Sequence, residues 1–127
     1  MADILIDTSI IIDYLRQKDK SKTINFKLES GQSKLFISII THAESYSGKS
    51  IWEKKEAKEN LKELLSGFQI LSLDEKTSEK AGEIRVSYST SITDAIIAAT
   101  AITHKLTLAT LNIKDFENIE GLKLFKN

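Results

Sequence analysis

The chain has 127 residues, 41% of them hydrophobic and 28% charged, proportions that fit one soluble globular domain whose core needs no staples. Cysteine is absent, which excludes disulfides, zinc ribbons and thiol catalysis and leaves any metal to oxygen ligands or to the two histidines. Eighteen basic residues balance eighteen acidic ones, so a nucleic-acid partner would have to be held by local basic patches rather than by bulk charge.

The opening stretch, Met1-Ala2-Asp3-Ile4, carries no basic flank of the signal-peptide kind. The longest apolar run, Ala95 to Ile102, falls far short of a membrane span. Both point to a protein that stays where it is made, in the cytoplasm. Ile4-Leu5-Ile6 is a branched apolar run without alternation, the signature of a parallel strand covered on both faces. It stops on Asp7-Thr8-Ser9, at the carboxyl end where open parallel sheets collect ligands. A helix over Ile10 to Arg16 follows, with Ile10, Ile11 and Tyr14 on one face. The basic cluster Arg16 to Lys22 reads as a solvated loop. A second helix, about Thr23 to Glu29, ends at Ser30-Gly31 with Gly31 at C′.

Leu35-Phe36-Ile37 is the second predicted strand. Thr41 caps a helix beginning at His42, or that helix starts nearer Ser38; either way Glu44 is assigned to an early turn. Lys49 to Leu65 reads as one long amphipathic helix with Ala57, Leu61, Leu64 and Leu65 inward, Lys55 facing Glu59 on the solvent side, and Trp52 assigned to the core. Gly67 closes it, and Phe68 to Leu71 is a third strand. Asp74 or Thr77 starts a further helix with Ala81, Ile84 and Tyr88 inward. After the polar run Ser87 to Ser91, Thr93 to Ile102 is apolar or small on every side, as in a helix buried all round. Leu106 to Ala109 is a fourth strand, and Leu122 to Phe125 offers a fifth at the edge. Helices alternating with short apolar strands predict an α/β sandwich with a parallel sheet.

Four carboxylates stand out, Asp7, Glu44, Asp94 and Asp115, each beside a hydroxyl or amide at a helix start. Helix capping accounts for any one of them taken alone, Asp7 included. It accounts poorly for Glu44 and Asp94, whose surroundings are apolar and make an unpaired charge costly. His42, two residues from Glu44, points elsewhere on a helix. His104 suits the negative end of the buried helix. Neither is assigned as a ligand.

Four stretches together resemble the successive motifs of PIN-domain ribonucleases, closest to the VapC-type toxins of prokaryotic toxin–antitoxin modules. They are Ile4 to Ser9; Ser38 to Glu44 with Gly48; Thr93 to Ala101; and Leu108 to Phe116. The resemblance covers nearly the whole chain in order, and the third stretch is the most specific. It implies a single PIN domain over 1–127, a three-layer sandwich with a four- or five-stranded parallel sheet, homodimerisation, and inhibition by a cognate VapB-like antitoxin. It also implies that Asp7, Glu44 and Asp94 are the core metal-binding acids. Relatives place a fourth acid at the position of Asn112, at that of Asp115, or at both. With an amide at 112, Asp115 is left to serve. Leu111 stands where many relatives carry arginine.

The chemistry suits the residue types. Phosphodiester hydrolysis needs a nucleophilic water and a neutralised leaving oxygen, which paired divalent ions supply, and hard oxygen ligands suit Mg²⁺ or Mn²⁺. Asp7, Glu44, Asp94 and Asp115 are therefore expected to hold one or two such ions in an endoribonuclease acting on RNA, with Thr8, Ser9 and Asn112 positioning water, carboxylate or phosphate. Two rival readings stand beside this one. The first is a PIN-like scaffold that binds RNA or protein without cleaving, kept open by Leu111, Asn112 and the zero net charge. The second is a phosphatase or phosphoacceptor using Asp7, for which Lys105 and Lys114 are poor phosphate partners.

Overall fold

Strand β1 (Ile4–Ile6) is buried along its whole length and runs down the middle of a five-stranded sheet. The computed structural model describes residues 3–126; Met1 and Ala2, half of the stretch that lacks a basic flank, and Asn127 lie outside them. The other strands are β2 (Leu35–Ser38), β3 (Gln69–Leu71), β4 (Thr107–Ala109) and β5 (Lys123–Leu124). They are ordered β3-β2-β1-β4-β5, and every pairing is parallel. The upper of the two expected strand counts is therefore the observed one.

Strand alternation divides the interior into two cores. Ile4 and Ile6 join Leu35 and Ile37 on one face, packed by α1 (Thr8–Arg16), α2 (Ile24–Glu29), α4 (Lys49–Glu53) and α5 (Lys55–Leu65). Leu5 and Leu108 point to the other face, covered by α6 (Glu75–Tyr88), α7 (Ile92–Thr103) and α8 (Ile113–Phe116). Helix α3 (Ile39–Ser45) follows β2 directly. The three-layer sandwich expected from the sequence is what forms. Helix α7 is buried continuously from Ala95 to Ala101, and its alanines bring its backbone close to the sheet. Among the described residues no helix is long and apolar enough to cross a membrane.

Several local readings are corrected. The stretch Lys49 to Leu65 is two helices, because Lys54 takes an extended backbone (φ −123°, ψ 119°). That break lets Ile51 and the Leu61, Leu64, Leu65 stripe reach the same core. It also turns Trp52 outward, where it is 61% exposed rather than in the core. Its indole Nε1 donates to the Tyr46 carbonyl at 2.7 Å, and the Lys58 ammonium sits 4.7 Å from the ring centroid. Helix α3 is capped by Ser38, whose hydroxyl accepts from the Ile40 amide, so Glu44 belongs to its last turn and not an early one. The basic segment after α1 is not wholly solvated: Lys20 folds back and donates to the Tyr14 and Leu15 carbonyls, which satisfies the end of α1. Gly31 follows the α2 cap as expected, but without left-handed backbone.

Candidate active site

The order of the sheet dictates where a site can form. From β1 the chain crosses to β2 on one side, and later returns to β4 on the other, so β1 and β4 flank the point where connections diverge. A crevice opens outside the carboxyl ends of strands at such a point. A cavity of about 590 Å³ lies there, and Asp7, Glu44 and Asp94 all line it. These acids come from positions 7, 44 and 94, after β1, on α3 and on α7, and the fold brings them to one place.

Asp7 occupies the position before α1, yet its carboxylate makes no capping bond to that helix. Instead Oδ2 accepts from Ser9 Oγ at 2.8 Å and from Thr110 Oγ1 at 2.7 Å. Its backbone N–H donates to the Ala109 carbonyl at 2.9 Å, which ties it to the end of β4. Asp7 is only 4% exposed, and its Oδ1 has no protein hydrogen bond among the described residues. A carboxylate anchored through one oxygen with the other left toward a cavity is aimed at something that is not protein. Capping is therefore not what Asp7 does.

Glu44 is anchored in the same manner. Thr8 Oγ1 donates to Glu44 Oε1 at 2.7 Å and is also hydrogen-bonded to Thr41 Oγ1 at 3.0 Å. Thr8 and Thr41 are buried, so the pair fixes one Glu44 oxygen from below. Asp94 lies in the first turn of α7, where its backbone N–H donates to the Ser91 hydroxyl at 3.1 Å. Burial raises the Asp94 carboxyl above the usual carboxylate value. The negative charges of Asp7, Asp115 and Glu44 push the same way, against an opposing hydrogen bond with Ser91. A half-buried acid destabilised by three like charges is a site short of positive charge.

Asp115 is brought less close. It is exposed on α8 and lines a neighbouring shallow recess with Leu111 and Asn112, although its charge is felt at Asp94. Asn112 lines the main cavity, and its backbone N–H donates to Thr110 Oγ1 at 3.0 Å. Ser9 Oγ accepts from the Leu111 amide at 3.1 Å. Thr8 and Ser9 thus act on carboxylates, while the Asn112 contact found is through its backbone.

The donor set fits a hard divalent cation: among the described residues the cavity is lined by carboxylate, hydroxyl and amide oxygens with no sulfur or imidazole, and Asp7 and Glu44 are each already held through one oxygen. Among the described residues no three acids already stand close enough to grip one ion. Glu44 and Asp94 are half-buried, and gathering them with Asp7 on one ion would take a change of side-chain rotamer.

Four contributors are missing from the sequence reading. Thr110 was visible as a hydroxyl immediately past a strand. Thr41 lies three residues before Glu44, the spacing that puts both on one helix face. Arg16 and Asp13 also line the cavity, and Ser9, Asp13 and Arg16 recur at helical spacing along α1. Replacing Thr110 by Val is expected to lower divalent-metal affinity about 10- to 100-fold with the fold intact, because Asp7 loses one of two orienting bonds. Calorimetric titration with Mn²⁺, beside a circular dichroism spectrum, checks it.

The family model for the PIN domain matches residues 4–122. Ribonuclease VapC1 of Rickettsia felis is 38% identical over 95% of this chain and 93% of its own length. Among solved structures, a toxin–antitoxin complex from Klebsiella pneumoniae superposes with a TM-score of 0.78 at 32% identity, covering 94% of this chain and 95% of that one. VapBC2 from Rickettsia felis, bound to a DNA fragment from their promoter, superposes with a TM-score of 0.78 at 27% identity over 96% of each chain. The matched span contains every residue that lines the acid-rich cavity, and the chain belongs to the PIN-domain family, in its VapC branch.

Proposed function

We propose that the chain, as a single PIN domain, is an endoribonuclease that hydrolyses RNA phosphodiester bonds as the toxin of a toxin–antitoxin pair. The observation that carries this reading is the convergence of Asp7, Glu44 and Asp94 on one cavity, in a chain 38% identical to a protein named Ribonuclease VapC1. Asp7, Glu44 and Asp94 would hold Mg²⁺ or Mn²⁺, with Asp115 reaching the site directly or through water. When bound, such an ion lowers the pKa of water and neutralises charge on phosphoryl oxygens.

The chain's own groups supply position. Ser9 and Thr110 fix Asp7, Thr8 and Thr41 fix Glu44, and Ser91 holds the turn that carries Asp94. Asp7 and Glu44 are thus each held through one oxygen before a ligand arrives, which limits the reorganisation left at those two groups. Among the described residues no histidine lines the cavity, so proton removal is not assigned to an imidazole. A cognate VapB-like antitoxin and a second copy of this chain complete the proposed assembly, in a prokaryotic cytoplasm. The toxin–antitoxin complex at 32% identity supports the first of these.

The test incubates purified, antitoxin-free protein with a panel of structured RNAs in Mg²⁺, in Mn²⁺ and in EDTA, beside Asp7→Asn. Scission is expected in either metal and lost in EDTA and in the variant. RNA retention without scission would establish the scaffold reading instead, and phosphate covalently held on Asp7 would establish the phosphoacceptor.

A further inference from the structure

Among the described residues the cavity is lined by four acids, Asp7, Asp13, Glu44 and Asp94, and by a single cationic side chain, Arg16. A polyanionic substrate entering that space meets repulsion from every charged wall but one. Arg16 is exposed at the last turn of α1, on the face that carries Ser9 and Asp13 into the cavity. The nearest acid along that face is already occupied: Gln17 Nε2 donates to Asp13 Oδ1 at 3.1 Å. Among the described residues the ion pairs are three exposed Lys–Glu pairs on other helices, and Arg16 is in none of them. It also borders a second recess formed with Ile12, Glu44 and Ile51, so it lines both this recess and the acid-lined cavity. Leu111, which also lines the cavity, is 45% exposed and offers no charge.

We propose that Arg16 binds a backbone phosphate of the RNA strand next to the scissile bond, and so sets how the strand enters the acid-lined cavity. This rests on the ribonuclease reading above. A guanidinium presents a planar fork that matches two phosphate oxygens, which an ammonium does not. Held at a helix end beside the carboxylates, it offsets the repulsion that a metal ion alone leaves for the neighbouring phosphate. The alternative role, simply balancing the pocket's acids, would show in metal binding and stability rather than in RNA affinity.

Single-turnover cleavage of a structured RNA in Mn²⁺, across a salt series, separates the two for wild type, Arg16→Ala and Arg16→Lys. Arg16→Ala is expected to raise the half-saturating protein concentration about 10- to 100-fold, the effect of one charged hydrogen-bonding group, with the saturated rate within a few-fold of wild type. The slope of log affinity against log salt should become shallower by about 0.7, the value for one phosphate contact on a single strand. Arg16→Lys should restore the slope but only part of the affinity. Mn²⁺ titration without RNA should give Arg16→Ala an affinity equal to or tighter than wild type, which shows that the carboxylate site is intact. Half-saturation and salt slope unchanged in Arg16→Ala, with wild type cleaving, would overturn the assignment and leave the ribonuclease reading standing. Lower metal-free stability and tighter Mn²⁺ binding in Arg16→Ala, with RNA half-saturation and salt slope unchanged, would overturn it in favour of charge balance. A wild type that neither binds nor cleaves any RNA would remove both.

Discussion

Asp94→Asn is expected to lower metal-dependent RNA cleavage about 10³-fold, some 4 kcal/mol of barrier, while making the metal-free protein more stable than wild type. The two effects have one cause. Asp94 is half-buried on a helix that is apolar along its length, and faces the charges of Asp7, Asp115 and Glu44, which with burial raise its pKa. Over the pH range between its ordinary value near 3.8 and the raised one, the folded state holds a proton that the unfolded state has released. Metal-free stability therefore falls as pH rises through that window. The amide does not titrate, so the variant should lack that part of the pH dependence. Solvent access to Asp94 screens the effect, and the direction is the prediction. Thermal melts of both proteins in EDTA, from acid to neutral pH, together with cleavage rates in Mn²⁺, check it. A variant that cleaves like wild type would remove Asp94 from the site.

The second large effect is the response to the ion itself. At a hundredfold excess over Kd, Mn²⁺ should stabilise the wild type by about 2.7 kcal/mol, because it binds the folded chain and not the unfolded one. For a chain of this size that raises Tm by roughly 10 °C. The rise should largely vanish in Asp7→Asn, since Asp7 is the acid already oriented by two hydroxyls. Differential scanning calorimetry over a Mn²⁺ series measures it. An equal rise in wild type and variant would mean that the ion binds elsewhere.

Much of this was legible in the residues. Ile4-Leu5-Ile6 lacks alternation because each strand face meets a different core, and the unbroken apolar run says so directly. The all-round burial of α7 follows from Ala95 to Ala101 in the same way. What was misread depends on how the chain turns. Nothing in the Lys- and Glu-rich run from Lys49 marks Lys54 as a break, since there is no glycine or proline there, and the outward turn of Trp52 follows from that break. The start of α3 hinged on which of two hydroxyls would cap, and Ser38 competed successfully with Thr41 because β2 ends on it.

The site divides along a similar line. Glu44 and Asp94 could be singled out because a charge amid apolar neighbours needs an explanation that capping does not provide, whereas Asp7, which capping alone would explain, joined them through the family resemblance. Asp115 sits exposed on the short helix α8, where a carboxylate needs no such explanation, and its place beside the main cavity, not within it, could be seen only in three dimensions. The threonines that orient the acids pair across 33, 36 and 103 residues of sequence, distances over which no spacing rule speaks. Arg16 was hidden inside a basic cluster whose other members face solvent or cap α1.

The central claim is that carboxylates from β1, α3 and α7 close on one divalent cation. Anomalous diffraction from crystals of the full chain soaked in Mn²⁺ addresses it directly. The account predicts a peak in the cavity beside Asp7 Oδ1, within coordinating distance of the Glu44 and Asp94 carboxylates. A peak elsewhere on the surface, or a cavity without one at saturating Mn²⁺, would contradict it.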